Sequence, residues 1–287
     1  MDSTALNQSI GKTRTVEERM AANPAQRMQA TLNRQPTLQI GDELPPAWHW
    51  LYFHEPTRSD ALADEGHPEL GGFMPPIQFA DNQAPPRRMW AGGSFTFDRP
   101  IQIGDCASKH STVKSITPKE GKSGKLLFVV VEHLVSVGGE RCLREEQTIV
   151  YREPVRVGAG NVHAMAAPSD EEFSARYVPD PILLFRYSAL TFNAHRIHYD
   201  LDYCRQVEGY PGLVVHGPLA ATLLLDLYYQ RLQERRIAAF SYRARSPLFV
   251  PNEFSVNGKA DGQAWAASHK SGLAMTAKVT FSEGQER

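Results

Sequence analysis

An apolar run in the last third of the chain departs from the usual one-sided pattern of a surface helix. Residues 219–229 are hydrophobic nearly all round, which is typical of a helix enclosed by protein. Pro218 suits the first turn of such a helix, because its missing N–H would have no acceptor there and its φ is already helical. The pattern therefore predicts a buried helix that begins near Gly217. This run is too short to cross a bilayer.

Two segments in different halves of the chain share one order of residue types. Residues 94–105 and 240–252 each run from an aromatic strand through a proline to a short apolar pair and a turn. Further strand-like sequence follows in both halves, at residues 125–134, 146–151, 254–259 and 274–281. The repetition predicts two copies of one unit, each a helix wrapped by an antiparallel sheet.

Polar side chains interrupt the apolar pattern just before the predicted helix. A short turn carries the polar residues Asn193, His195, Arg196 and His198, and His216 directly precedes the helix. Polar groups set against apolar walls are typical of a small-molecule site. Gly217 has two interpretations. Its exposed N–H and the helix dipole stabilise an oxyanion, or the glycine only permits close packing.

Composition restricts the class of protein. The 287 residues carry a net charge of −1 and 41% hydrophobic residues, so a large core is expected and no electrostatic argument favours nucleic acid. The three cysteines, at 106, 142 and 204, show neither metal spacing nor a disulfide framework, which is typical of a reducing cytoplasm. No apolar signal core or membrane segment is evident. We expect a cytoplasmic enzyme that binds neither nucleic acid nor membrane.

The strings SALTFNAHRIHYD (residues 188–200) and GYPGLVVHGPLAATLLL (residues 209–225) resemble the hydratase motif of the MaoC-like (R)-specific enoyl thioester hydratases and dehydratases. The variant is similar to the type-2 hydroxyacyl-thioester dehydratase branch. The resemblance implies an α+β double hotdog fold. We expect residues 1–155 to form a degenerate N-terminal hotdog together with an N-terminal extension. Residues 156–181 would be a linker, and residues 182–287 a catalytic hotdog.

The resemblance also assigns catalytic roles to the turn. His198 matches the catalytic histidine, and Asn193 falls where the family has an aspartate. An amide cannot take a proton from water, so acid and base duties would rest mainly on His198, with Asn193 orienting the water or holding the substrate carbonyl. Gly217 would stabilise the enolate-like oxygen. Asp200 either orients a histidine or faces solvent, and His195, His198 and Asp200 lack the spacing of a known metal motif, so no metal is expected.

Other residues bear on the substrate. By position we expect contacts to substrate from His195, Arg196, Arg87, Arg88, Trp90 and His216. An arginine fork suits a second carboxylate or the phosphates of coenzyme A. The expected reaction is hydration of an enoyl-CoA, with a C5 dicarboxylic acyl group such as itaconyl-CoA or mesaconyl-CoA. Coenzyme A enters only as part of the substrate, and no other cofactor is expected.

The sequence leaves open three other activities and the role of the first half. The alternatives are a dehydratase acting on acyl carrier protein, a non-catalytic subunit that binds acyl thioesters, and a thioesterase. The N-terminal half does not repeat the NAHRIH string, so we expect it to form a wall of the acyl pocket. Its aromatic residues 48–53 are expected in the core, and residues 84–93 in an irregular loop. The resemblance further implies a homodimer.

Overall fold

The strands of the computed structural model form one continuous antiparallel sheet. The structure describes residues 6, 8–69, 72–74, 77, 87–121, 124–152 and 165–286. Within them the strands are β1 (Thr13–Arg19), β2 (Arg87–Phe97), β3 (Cys106–Gly121), β4 (Gly124–Val137), β5 (Glu140–Arg152), β6 (Phe173–Tyr177), β7 (Arg235–Ala244), β8 (Phe254–Gly258), β9 (Gln263–Ser268) and β10 (Leu273–Glu286). Their order across the sheet is β1-β3-β4-β5-β2-β7-β10-β9-β8-β6.

The strand order repeats once. Strands β1 to β5, the first half, lie in the order β1-β3-β4-β5-β2, and strands β6 to β10, the second half, in the matching order β6-β8-β9-β10-β7. The halves meet where β2 pairs with β7, with Ser94 opposite Ser241 and Phe95 opposite Phe240. These are the two segments whose similarity predicted a repeat, and the repeat is confirmed. The strands predicted from periodicity correspond to β4, β5, β8 and β10.

The described helices are α1 (Ala22–Thr31), α2 (Pro181–Leu190), the single turn α3 (Leu201–Tyr203) and α4 (Gly217–Arg231). Helix α3 continues into a π-helical turn, Cys204–Glu208. Helix α4 packs against strands β7 to β10, and every residue from 219 to 228 is buried. The predicted helix start at Gly217 and its enclosure are both confirmed. The sheet wraps α4 because no face of this helix is polar enough to remain in water.

The first half lacks such a helix among its described residues. At the corresponding place it has a 3₁₀ turn, Trp48–Leu51, with Tyr52 and Phe53 buried beside it. The aromatic residues are therefore mostly core, as expected. The prediction of a wrapped helix in both copies is wrong for the first copy. Two consecutive prolines, Pro45 and Pro46, enter this turn and supply no N–H donors.

Two predicted irregular segments contain strands. Strand β2 already begins at Arg87, within the segment 84–93 predicted as a loop, whose residues 84–86 lie outside the described residues. Strand β6 lies inside the predicted linker 156–181 and pairs with β8, while residues 156–164 are outside the described part. No described helix is long and apolar enough to span a membrane.

Candidate active site

His198 lies at the end of a 3₁₀ turn, Arg196–His198, that packs near the start of α4. Its Nδ1 is 2.7 Å from the carbonyl oxygen of Val214. A carbonyl only accepts, so Nδ1 carries the proton and Nε2 keeps a free lone pair. Burial lowers the pKa of His198 to about 4, because an enclosed site disfavours the charged imidazolium. The ring is therefore a neutral proton acceptor in a fixed tautomer.

His216 supports His198 from one face. The two rings stack with centroids 3.5 Å apart and planes 18° apart, and Nε2 of His216 hydrogen-bonds to Oγ of Ser188 at 2.8 Å. His216 is the N-cap residue of α4, so the stack places His198 beside the start of that helix. Burial, followed by the charges of His198 and His195, holds the pKa of His216 well below its usual range. A neutral pair avoids two adjacent cations.

A third and a fourth histidine extend the cluster. The ring of His195 meets that of His198 edge-on at 5.6 Å, and His67 of the first half lies 4.5 Å from His195. Burial lowers the pKa of His195 to about 3, and burial together with the charge of Arg88 lowers that of His67 well below 6.5. His67 was not among the site residues predicted from the sequence. Its only signal is the string Gly66-His67-Pro68, which has no local link to the motif.

Gly217 has room for a side-chain atom. A Cβ placed there would find Trp90 Cβ at 4.0 Å as its nearest neighbour, an ordinary contact, so close packing does not account for this glycine. As a first-turn residue, Gly217 has no intrahelical acceptor for its N–H. Trp90 lines this space, with its Nε1 donating to the carbonyl of Gly92 at 3.2 Å. A ligand atom beside Gly217 would meet a free donor and an aromatic wall.

Three polar residues of the motif are engaged with the chain itself. Oδ1 of Asn193 accepts from the N–H of His195 at 3.1 Å and so closes a local turn. Asp200 caps α3 through the Tyr203 N–H at 2.9 Å. Asp200 also pairs with Arg196 at 2.7 Å, so the hypothesis that Asp200 orients a histidine is wrong. The described residues include no group of three or more metal-ligating side chains suited to a metal ion.

Arg196 links the motif to the first half by a hydrogen bond. Besides its bonds to Asp200, Nη1 of Arg196 donates to the carbonyl of Asp64 at 3.2 Å. The guanidinium lies 4.4 Å from the ring centroid of Tyr203. The structure therefore gives Arg196 intramolecular partners at the place where a contact to substrate was expected.

The adjacent arginines of β2 differ in what they face. Nε of Arg87 pairs with Glu208 at 2.9 Å, with both side chains about 10% exposed, and Nη2 of Arg87 donates to the carbonyl of Val207 at 3.2 Å. Arg88 has no carboxylate within salt-bridge distance in the part of the chain that is described. Besides burial, its charge lowers the pKa of His67 and His195, and it opposes the rise that burial causes in the pKa of Glu65. The charge of Arg88 thus acts on the histidine cluster and on the Glu65 carboxylate.

The repeated sheet and the site at the start of a buried helix define the class of protein. The chain matches a Mycobacterium tuberculosis structure described as a double hotdog, with a TM-score of 0.56, 12% identity and coverage of 95% of this chain and 96% of that one. It also matches a MaoC-like dehydratase from Phytophthora capsici, with a TM-score of 0.69, 12% identity and full coverage of both chains. The fold is a double hotdog, as expected.

Sequence comparison assigns the family within that class. The sequence model of the family described as hydroxyacyl-thioester dehydratase type 2 matches residues 47–250. The mesaconyl-C(4)-CoA hydratase of Chloroflexus aurantiacus is 42% identical over 88% of each chain. A mitochondrial hydroxyacyl-thioester dehydratase type 2 of Schizosaccharomyces pombe is 26% identical over 77% of this chain and 80% of its own. The chain belongs to the hydroxyacyl-thioester dehydratase type 2 family and is a hydro-lyase of the enoyl-thioester hydratase and dehydratase type.

Proposed function

We propose that this hydro-lyase hydrates a short C5 dicarboxylic enoyl-CoA, mesaconyl-CoA or itaconyl-CoA, with coenzyme A present only as part of the substrate. The observation that carries the proposal is the fixed tautomer of His198, whose Nδ1–H is held by Val214 at 2.7 Å next to the helix start, where Gly217 has room for a Cβ. The 42% identical relative that acts on a mesaconyl thioester supports the choice of acyl group.

The geometry suits addition of water to the carbon β to the thioester. In the mesaconyl case, Nε2 of His198 takes one proton from water while the oxygen bonds to the β carbon. The π electrons of the double bond move toward the thioester, and negative charge collects on its oxygen. The N–H of Gly217 and the positive end of the α4 dipole stabilise that oxygen. The proton on His198 then returns to the α carbon, which restores the neutral imidazole.

Arg88 is the group we assign to the free carboxylate of the acyl chain. In a mesaconyl thioester that carboxylate is attached to the β carbon, so its binding site must lie close to the base. Arg88 meets this requirement because it lies on β2 two residues before Trp90, the neighbour of Gly217, and residues two apart on a strand share a face. Arg87 does not, because Glu208 already neutralises it. A guanidinium can hold a carboxylate with two parallel hydrogen bonds.

A mass-resolved assay of purified protein with crotonyl-CoA, mesaconyl-CoA and itaconyl-CoA tests the function. Gain of one water on a C5 dicarboxylic thioester, absent with His198→Ala, is the expected result. Release of free CoA thiol would instead indicate a thioesterase. Hydration of an enoyl group only on acyl carrier protein would indicate the fatty-acid dehydratase, and no reaction with any thioester would indicate a non-catalytic binding subunit.

The assignment of Arg88 has its own test. Arg88→Ala is expected to lower kcat/KM for the dicarboxylic substrate by about 10- to 100-fold, because a hydrogen bond to a charged group contributes about 1.5–3 kcal/mol. The same variant should change kcat/KM for crotonyl-CoA, which has no second carboxylate, by less than about threefold. Equal losses on both substrates would contradict a role in carboxylate recognition.

A further inference from the structure

A loop of the first half is held directly on the catalytic motif. The N–H of Arg196 donates to the carbonyl of Glu65 at 2.9 Å, and the Arg196 side chain holds the carbonyl of Asp64. Gly66, which follows Glu65, has φ of +94°, and a Cβ there would lie 1.9 Å from the carbonyl oxygen of Ala194. Only glycine permits so close an approach. The loop therefore places the next residue, His67, against the motif.

The ring of His67 packs against another imidazole. Among the described residues its side chain has no hydrogen-bond partner, and the ring centroids of His67 and His195 lie 4.5 Å apart. The charge of Arg88 also acts on His67. A histidine held by glycine and backbone contacts, next to a cation and two further imidazoles, is not explained by packing of an apolar core. Its neutral imidazole offers a lone pair and an N–H.

The motif supplies no carboxylate as a second acceptor for the reacting water. Asn193 stands at the position that matches the family's aspartate, and its Oδ1 already accepts from the N–H of His195. Asp200 is occupied by Arg196 and by the cap of α3. The acceptors that remain to orient the water are the imidazoles beside His198, namely His195 of the motif and His67 against it. A second acceptor on another side of the water would fix the direction of attack.

We propose that His67 of the first half is this second acceptor, so that the active site is completed across the two halves of the chain. The inference rests on the hydratase function proposed above. In the step, the water donates one hydrogen bond to His67 and one to His198. His198 takes its proton, the oxygen bonds to the β carbon, and His198 returns the proton to the α carbon. His67 neither gains nor loses a proton, so the balance of the reaction is unchanged.

The test compares His67→Ala and His67→Gln with His110→Ala, a matched control in the same half at an exposed histidine that contacts Thr15. With the C5 substrate that the wild-type protein hydrates, His67→Ala is expected to lose about 100-fold in kcat, with KM within threefold of wild type. Added imidazole should restore part of the lost kcat. His67→Gln, which keeps an acceptor, should retain more activity than His67→Ala, and the His110→Ala control should match wild type.

A variant of the loop tests the position of the His67 ring while keeping its imidazole. It also keeps the proposal testable if His67→Ala does not fold. Gly66→Ala keeps the imidazole but forces the loop away from Ala194. It is expected to lower kcat without rescue by imidazole. An active wild-type protein whose kcat is unchanged in His67→Ala and His67→Gln overturns this inference alone. A loss that appears only in KM, or that imidazole does not restore in folded His67→Ala, also overturns it. A wild-type protein that hydrates no enoyl-CoA overturns the proposed function and this inference together.

Discussion

The two halves use the same frame to present different chemistry at the same place. In the first half the N–H of Leu44 donates to the carbonyl of Ile101 at 2.8 Å, and in the second half the N–H of Val215 donates to that of Leu248 at 2.9 Å. Isolated bridges one residue away, Glu43 with Gln102 and Val214 with Phe249, repeat the match. The segments that follow Leu44 and Val215 are therefore structural counterparts.

These counterparts differ in the donors that they offer. Val215 is followed by His216 and Gly217, whereas Leu44 is followed by Pro45 and Pro46. A proline has no N–H, so Pro45 and Pro46 cannot present the backbone donor that Gly217 has at the matching place in the second half. The two halves have equivalent strand arrangements, and a change of residue type at two positions is enough to remove this donor from one of them.

The halves also use buried histidine differently. In the first half His49 pairs with Glu145 at 2.9 Å, with exposures of 3% and 1%. Burial alone would raise the pKa of Glu145, but His49 and further partners lower it to about 2. In the second half burial lowers the pKa of His198 to about 4. His49 is thus buried against a charged partner, whereas His198 stays neutral and available for proton transfer.

The largest expected effect is on catalysis in the second half. His198→Gln should lower kcat/KM for hydration by about 100- to 10,000-fold, the range that a positioned general base contributes. The fold should persist, because the glutamine amide can still donate to the carbonyl of Val214. Steady-state kinetics and circular dichroism measure the two effects. A variant that retains more than a tenth of the wild-type activity would show that another group is the base.

The corresponding change in the first half should affect stability instead. His49→Ala leaves the carboxylate of Glu145 buried with Trp50 and Gln147 as its remaining partners. Removing one member of a buried ion pair costs about 3–5 kcal/mol, which denaturant titration would measure as a lower free energy of unfolding. The kcat per folded molecule should stay within threefold of wild type. A loss of kcat in folded His49→Ala would contradict the division of roles between the halves.

A proline at Gly217 would make the second half resemble the first at the helix start. Gly217→Pro removes the N–H, and the first turn of a helix accepts proline. His216 already has φ −60° and ψ 129°, a conformation that is favoured before proline. Loss of one oxyanion donor is expected to lower kcat by about 100- to 1,000-fold. Gly217→Ala keeps the N–H and should lose much less. Equal losses in both variants would point to crowding of the substrate instead.

Local pattern was sufficient for the features that depend on neighbouring residues. The enclosure of α4 follows from an apolar run without a polar face, and its start follows from Gly217 and Pro218. The strands of β4 and β10 follow from their periodicity. The first-half helix was predicted wrongly because the repeat was extended to a segment that Pro45 and Pro46 divert into a 3₁₀ turn.

The features that depend on contacts between distant segments could not be predicted from the residue pattern along the chain. His67 reaches the cluster only because residues 64–66 hydrogen-bond and pack against the motif of the other half. Arg87 and Arg88 are adjacent and identical in type, and only the fold shows that Glu208 pairs with the first. Asn193 was expected to face substrate or water, but its oxygen closes a turn with His195. Each of these outcomes depends on which group lies nearest in space.

The smallest expected effect is a change in the pH dependence of stability. Burial lowers the pKa of His195 to about 3, whereas an unfolded histidine has a pKa of about 6.5. As pH falls from about 6 to 4.5, the unfolded chain binds a proton at this residue and the folded chain does not. The free energy of unfolding therefore falls on acidification by about 1.4 kcal/mol per pH unit for each such histidine. Denaturant titrations of His195→Asn should show a slope against pH that is smaller by this amount, whereas the exposed first-half control His110→Asn should keep the wild-type slope. An unchanged slope in His195→Asn would mean that His195 is protonated in the folded protein.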